Sequence, residues 1–536
     1  MSDEQIDQLG RAGHDREKVY AAFDQAVNHT KGPTVVLLMG IKGYGLSSAE
    51  SKNIAHNQLD MAFEDLQKFR DRFHLPITDE QIKNLEYYHP GNDSEEVRYL
   101  HQRRQALGGY LPARFSEANT LAVPDLSMFE ALLQGSGERE MSSTMALARI
   151  LSALLKDKNI GQYIVPMFSD EVRTFGMEGL FRQVGIYSPL GQQYTPEDKA
   201  QISYYKEMEN GQILMEGITE AGCMASWIAA GTSYSVNALP MIPIFTYYSM
   251  FGFQRVGDFI WAAADMRTRG FLFGGTAGRT TLDGEGLQHQ DGHSLIVAST
   301  VPTCVAYDPT FGYELAVIVR HGLQRMFHDQ EDVFFYVMVM NEKYTHPAMP
   351  LGAEEGIVRG MYLLKKSPDA PSLRVNLWGS GTILREALAA AELLAQDFNI
   401  SADVWSVTSF NELKRDAEKI ARQHYLNLDQ TQDKSYLAQC LEKMIGPIIA
   451  ATDYIRAYPE QVRAYVTSDY YVLGTDGFGR SDTREALREF FEVSRHYIAY
   501  MAIVALVQRG DLPPIAAKEA KEKYKINSAK PHPVSM

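Results

Sequence analysis

Residues 274–293 read GGTAGRTTLDGEGLQHQDGH, and six glycines with three threonines in that span argue against a stable helix, because each glycine costs a helix roughly 1 kcal/mol in backbone freedom. The segment must therefore be a shaped loop. It gathers Arg279, Asp283, Glu285, His289, Asp291 and His293, a dense set of groups able to bind anions, transfer protons or hold a metal. Mostly apolar chain flanks it at 259–273 and 295–305, so the loop is expected to emerge between buried elements, where α/β proteins place active sites.

Working outward, apolar runs at 163–168, 243–248, 271–273, 304–307 and 333–340 read as buried strands, with helical spacing at 141–155 and 225–230 between some of them. The first of these runs delivers Ser169, Asp170 and Glu171 at its carboxyl end. Alternation of strand and helix predicts an α/β domain with a mostly parallel sheet. Near residue 350 the pattern restarts, with strands expected at 373–378, 402–407 and 470–473, giving a smaller α/β unit at the C-terminus. Toward the N-terminus, TVVLLM at 34–39 reads as one more buried strand, preceded by a helical pattern and ended by the glycine-punctuated loop 40–45. Glu50, Lys52 and His56 follow in a polar segment expected to be mobile. One helix and one strand cannot bury an α/β layer, so this part is expected to be the tail of a domain. Residues 91–124 carry charge clusters broken by glycine and proline and read as a surface linker. The expected division is 1–119, 120–349 and 350–536.

Composition narrows the function classes. The 52 basic and 67 acidic residues give a net charge of -15, which argues against nucleic acid or an anionic membrane as the main partner. Cys223, Cys304 and Cys440 are too few and too scattered for a disulfide framework or a thiolate zinc site, and a reducing cytoplasm fits best. The N-terminus lacks the basic and apolar regions of an export signal, and no uninterrupted apolar run reaches the roughly 20 residues needed to span a bilayer.

Several constellations compete with plainer explanations. His289, Asp291 and His293 alternate in a way that suits zinc, iron or manganese. No helical HExxH pattern or further ligand accompanies them, so catalytic or substrate-binding histidines are the stronger reading. Glu220 follows apolar Ile213 and Leu214 in a small-residue turn, where burial would favour a protonated or poised carboxyl. Tyr247, Tyr248, Phe251 and Phe253 are core residues or, beside a glycine at a strand end, a flat ligand wall. Gly379-Ser380-Gly381 before a helix is a weak phosphate-loop signal lacking the third glycine. The run from Gly474 to Gly479, GTDGFG, is read as a tight turn.

These stretches together carry a resemblance. DEVRTFGMEGLFRQVGIYSPLGQQYTPED at 170–198, YYKEMENGQILMEGITEAG at 204–222, PIFTYYSMFGFQRVGD at 243–258, GRTTLDGEGLQHQDGHS at 278–294 and LGTDGFGRSD at 473–482 resemble the homodimeric bacterial pyruvate dehydrogenases, the thiamine-diphosphate-dependent first components of the pyruvate dehydrogenase complex. IKGYG at 41–45 and KNIAH at 52–56 match as well. One departure is clear. The family holds magnesium and the diphosphate through a Gly-Asp-Gly motif in its N-terminal half, and the GTDG at 474–477 belongs to a different, C-terminal motif of the family. The chain therefore looks like the C-terminal three-fifths of such an enzyme, with no metal ligand of its own. The resemblance implies a transketolase-like fold: a pyrimidine-binding middle domain, a smaller C-terminal domain and a remnant of the diphosphate-binding domain.

The resemblance also implies roles. Glu220 would hydrogen-bond the aminopyrimidine ring of thiamine diphosphate, Ile218 would prop the bent cofactor, and Tyr248 and Phe251 would contact the pyrimidine. His289 would face the substrate, with Asp170 and Glu171 close to the pocket. His56, on a mobile loop shared with Glu50 and Lys52, would serve transfer of the acetyl group to a lipoyl group. The implied activity is oxidative decarboxylation of pyruvate by a cytoplasmic homodimer, with a lipoyl-bearing dihydrolipoyl acetyltransferase as partner. Two other functions remain open: an interaction module that is incompetent without an N-terminal half, and another thiamine-dependent enzyme such as a transketolase.

Overall fold

A computed structural model describes residues 2–8, 12–57, 60–110, 118–169, 172–197, 205–368, 373–428 and 433–536. The chain forms two compact units, residues 1–111 and 112–536.

The first unit is helical. Its helices include Arg16–Asn28, Phe63–Phe73 and Glu95–Ala106. Asp15 caps the first of these by accepting from the Lys18 amide, and Ser94 caps the last by accepting from Val97. The helix at 95–106 corrects the expectation of an irregular linker there, since a capping serine followed by Glu95 and Glu96 is a helix start. A second correction concerns 34–39. No strand forms there, and Val35 and Leu37 are 82% and 90% exposed. Periodicity identifies an apolar run, but a strand also needs a neighbour to bond to, and none of the described residues of this unit is in a strand. The polar segment that follows folds into two 3-10 turns, Ser47–Ala49 and Asn53–His56. Glu50 ties it down, accepting from the Gly45 amide at 3.2 Å and from Arg72 at 2.6 Å. Lys52 and His56 are exposed.

The second unit contains two principal sheets. In chain order its strands are β1 (Ile164–Phe168), β2 (Ile186–Tyr187), β3 (Glu207–Met208), β4 (Leu214–Met215), β5 (Ile242–Tyr248), β6 (Phe271–Gly275), β7 (Cys304–Tyr307), β8 (Phe334–Met338), β9 (Tyr362–Lys365), β10 (Arg374–Gly379), β11 (Ser401–Ser406), β12 (Ile448–Ala451) and β13 (Tyr470–Leu473). The first sheet has the order β4-β1-β5-β6-β8-β7 and is parallel throughout. The second has the order β13-β12-β10-β11-β9 and is parallel except for its edge strand β9. β2 and β3 pair separately.

Both sheets are covered on both faces, which is why their strands read as continuous apolar runs rather than alternating ones. In the first sheet, Phe271, Phe273, Phe335 and Val337 join one core together with the helices Ser143–Leu154 and Gly312–Leu323. The intervening Leu272, Phe334, Tyr336 and Met338 join the other, with the helices Glu220–Gly231 and Gly252–Asp265. The side-chain period of two thus divides each strand between two cores. The stretch Arg484–Arg509 has the length and hydropathy of a membrane span. It comprises two helices, Arg484–Phe490 and Arg495–Arg509, and the second buries Ile498, Ala502, Ile503 and Leu506 in the core.

Candidate active site

Parallel sheets open their carboxyl ends to ligands, and the first sheet places the chemistry-bearing residues there. Strand β5 ends at Tyr248, turns through Ser249–Phe251, and enters the helix Gly252–Asp265. The adjacent strand β6 ends at Gly275 and releases the loop to His293. Glycine is needed at 274, because a Cβ there would lie 2.8 Å from the Ser249 Cβ and prevent the two strand ends from approaching. From β4 the chain passes through Gly217 and exposed Ile218 to Thr219, which caps the helix Glu220–Gly231 by accepting from the Gly222 amide at 3.1 Å.

Side chains from these elements form one wall. The His289 ring stacks on Tyr248 with centroids 4.8 Å apart and planes within 5°. Phe251 meets His289 edge-on at 5.4 Å and lies 5.8 Å from Tyr248. The Arg255 guanidinium sits 3.9 Å over the Phe251 ring and donates to both carboxylate oxygens of Glu220, at 3.1 and 3.2 Å. Phe175 supports Tyr248 from behind, at 5.6 Å. His289 Nδ1 is 3.0 Å from Glu285 Oε2. A carboxylate can only accept, so Nδ1 is the donor of this pair and Nε2 is the ring nitrogen left for another partner.

The structure brings together Glu220, Tyr248, Phe251 and His289 from three separate stretches of sequence. Ile218 lies two residues before Glu220 and is 79% exposed. Glu220 itself is 12% exposed, and in addition to the burial expected for it the structure pairs it with Arg255. Asp170 and Glu171 lie outside the described residues. His56, Glu50 and Lys52 belong to the first unit, described above. Arg255 is the residue sequence reasoning missed. Its signal was the spacing of four from Phe251, which puts the two on one helical face.

The loop 276–293 is less open than its glycines suggested. Thr276, Arg279, Thr280, Thr281, Gln290 and Asp291 are all buried. Arg279 donates to the Thr475 carbonyl, with burial pulling its guanidinium below the ordinary range, so it is a structural cation and not an anion receptor. Asp291 accepts from the His293 and Ser294 amides and the Ser294 hydroxyl, which engages it as a turn-forming carboxylate. His293 Nε2 lies 3.1 Å from the Gln254 amide nitrogen. Among the described residues no group of three or more His, Cys, Asp or Glu side chains is arranged to hold a metal ion. The Gly379-Ser380-Gly381 turn is filled by protein: the Gly381 amide donates to the Asp308 carbonyl, and a Cβ at 381 would collide with the Asp308 carboxylate. That leaves no room for a phosphate.

Known proteins place this arrangement. Residues 121–347 match the family described as the pyruvate dehydrogenase E1 component middle domain, and residues 360–494 match the transketolase-like C-terminal domain. The chain is 55% identical over 535 residues to the pyruvate dehydrogenase E1 component of Pseudomonas aeruginosa, covering 100% of this chain and 61% of that protein. It is 51% identical to the protein of the same name from Escherichia coli, covering 99% and 60%. The chain thus spans about three-fifths of the length of these relatives. Among solved structures, transketolase from Campylobacter jejuni superposes with a TM-score of 0.60 at 16% identity, covering 91% of this chain and 66% of that one. Transketolase from Leishmania mexicana gives 0.62 at 14%, covering 92% and 65%. The fold is therefore α/β and transketolase-like, with a mostly parallel sheet followed by a smaller α/β domain. By sequence along its whole length, the chain is similar to the pyruvate dehydrogenase E1 components, and its residues 121–347 match the family of their middle domain.

Proposed function

We propose that this chain carries the pyrimidine-binding and substrate-facing side of a thiamine-diphosphate-dependent pyruvate dehydrogenase, acting on pyruvate and passing the acetyl group to a lipoyl-protein. The wall from Glu220 through Arg255, Phe251 and Tyr248 to His289 carries the reading. Its donor set fits an aromatic heterocycle with a basic ring nitrogen. Tyr248 and Phe251 offer ring surface, Glu220 offers a carboxyl at one end, and exposed Ile218 can prop the ligand beside it. When bound, the cofactor supplies the carbon nucleophile and electron sink needed to decarboxylate a 2-oxo acid.

The chain's own residues do the rest. Glu220 holds and returns a proton at the ring nitrogen, for which Arg255 must give up one of its two contacts. His289, with Nδ1 committed to Glu285, presents Nε2 to the substrate. Asp170 and Glu171, at the end of β1, would line the same pocket. The diphosphate and its magnesium ion would take their ligands from the part of the family's length that this chain does not span. His56, Glu50 and Lys52 would serve the later transfer, His56 acting beside the lipoyl arm of a dihydrolipoyl acetyltransferase. We also divide the chain at 119 and 349 and place the protein in the cytoplasm as a homodimer.

The experiment is a substrate comparison. Supplied with the remaining length of its family, the enzyme should decarboxylate pyruvate with an artificial electron acceptor and leave sugar phosphates untouched. Turnover of sugar phosphates in place of pyruvate would return the chain to the transketolases. His289→Ala should depress that assay, whereas His56→Ala should spare it and depress only lipoyl acetylation. Equal loss of both activities in His56→Ala would place His56 in the primary site instead.

A further inference from the structure

The loop that carries His289 leaves the first sheet, yet its shape is fixed from the domain built on the second. Gln290, the residue after His289, is 2% exposed. Its side-chain amide spends its bonds on one residue: Nε2 donates to the Arg480 carbonyl at 2.5 Å and Oε1 accepts from the Arg480 amide at 2.7 Å. Two opposed bonds to a single residue fix both the distance and the rotation of that amide, as a rung of a sheet would. The approach depends on Gly479. A Cβ at 479 would lie 2.8 Å from the Leu287 carbonyl and from Gln290 Oε1, and 2.9 Å from Gln290 Cβ, all inside van der Waals contact. Further bonds bracket the segment: the Gly284 amide donates to the Asp482 carbonyl at 3.2 Å, and the Ile455 amide donates to the Gly292 carbonyl at 2.8 Å.

None of these groups belongs to the wall formed by Glu220, Arg255, Phe251, Tyr248 and His289. What they hold is the 3-10 turn Leu287–His289, which sits between Gly286 and Gln290. We propose that Gln290 and Gly479 are positioning residues for His289, through which the C-terminal domain keeps the imidazole face to face with Tyr248. The catalytic consequence rests on the substrate-facing role proposed above for His289; the positional claim does not.

The test measures acylation of each histidine by diethyl pyrocarbonate in the full 536-residue chain, read by peptide mass spectrometry, in the wild type, Gln290→Met and Gly479→Ala. Removing the paired bonds, or wedging a methyl group into the turn, should raise the His289 rate by about tenfold, the factor expected from losing a buried hydrogen bond or two. Buried His346 should stay protected and so report that the domain remains folded. A His289 rate within about twofold of wild type in a variant that still protects His346 would overturn the proposal, since about twofold is less than the loss of one buried bond predicts. A variant that exposes His346 as well has unfolded, and the other then decides. Unfolding of both would overturn the proposal too, because the pair would then hold the domain rather than the histidine. In the reconstituted enzyme, kcat for pyruvate should fall by a similar factor with KM little changed. If the His289 rate moves and kcat does not, the positioning stands and the substrate-facing role of His289 falls.

Discussion

At the carboxyl ends of the first sheet stand Glu220, Tyr248 and His289, each partly accessible, whereas the same ends of the second sheet are stopped with buried polar groups. There Asp308 fills the turn after β10, Ser380 bonds Thr452 at 2.9 Å, and Asp453, just after β12, accepts from the Thr280 amide at 3.1 Å. Two sheets of one chain, both with parallel central strands, thus differ in what occupies the same address. The position at the end of a parallel sheet says where a site could be. Whether it is one depends on whether the protein has already used the space. Here the second sheet's end is spent on holding the first sheet's loop, through Asp453, Thr475, Arg480 and Arg484.

The largest expected difference follows directly. In the reconstituted enzyme Glu220→Gln should lower turnover by about 100-fold to 10,000-fold, because an amide cannot hold and return a proton. Its unfolding midpoint should stay close to wild type, since the Arg255 partner it loses is half exposed and ion pairs with a solvent-exposed partner contribute little. Near-normal pyruvate decarboxylation in this variant would make Glu220 a structural carboxylate, and the contrast between the two sheet ends would collapse.

The opposite pattern is expected at the second end. Arg488 is buried and pairs with Glu342 and Glu386. Although burial opposes it, Arg488 and Arg385 hold the Glu342 carboxyl down to about 2. Arg488→Ala would leave two buried carboxylates without their shared cation, costing about 3–5 kcal/mol of stability. Urea unfolding should show the loss. A midpoint unchanged from wild type would mean that the network carries no stability, and that the second end is closed without being structural.

Most of this organisation was legible in the sequence. The strands expected at 304–307 and 470–473 form with those bounds, and those at 163–168 and 243–248 form within a residue at either end, because long apolar runs flanked by turn residues leave few alternatives. β4 was missed, being only two residues long, as were β12 and the edge strand β9, although each is mostly apolar and as long as β7 and β13. Residues 34–39 show the converse. Their apolar run is as clear as any, but pairing is a property of a neighbour and cannot be read from one segment. The members of the wall were named from sequence by resemblance, yet Arg255, which links two of them, was not. Nor could sequence show that Arg279 and Asp291 are consumed by the loop's own structure while His289 is not.

A third prediction uses pH. Burial pushes the Asp453 carboxyl up to about 7, against the opposing pull of Arg488 and Thr280, and its neighbour Asp308 is likewise pushed well above the carboxylate range by burial. A carboxyl raised in the folded state favours folding in its protonated form. Its contribution is complete below the ordinary value of 3.8 and is lost as pH rises through about 7. Asp453→Asn cannot titrate, so between about pH 4 and pH 8 it should lose less stability than wild type, by on the order of a few kcal/mol. Parallel stability curves for the two proteins across that range would show that Asp453 is ionised throughout.

The smallest effect compares like with like at the two ends. Thr219 and Ser409 are both N-caps of helices that follow parallel strands: Thr219 accepts from the Gly222 amide at 3.1 Å after β4, and Ser409 accepts from the Glu412 amide at 3.0 Å after β11. Replacing an N-cap hydroxyl by alanine costs typically about 1 kcal/mol. Ser409 is fully buried, and its hydroxyl also donates to the Ala306 carbonyl at 2.6 Å, so Ser409→Ala leaves two backbone groups unsatisfied and should cost more than Thr219→Ala. Catalysis should rank them the other way. Thr219 fixes the first turn of the helix on which Glu220 is the first residue, so Thr219→Ala should lower kcat for pyruvate by a few-fold, a displacement cost of about 1 kcal/mol. Ser409→Ala should leave kcat near wild type in the folded fraction. The pair of variants is to be measured together, by urea unfolding and by pyruvate decarboxylation. If Ser409→Ala proves the milder substitution in unfolding, or if it depresses kcat as much as Thr219→Ala does, then the two sheet ends are not divided between chemistry and support.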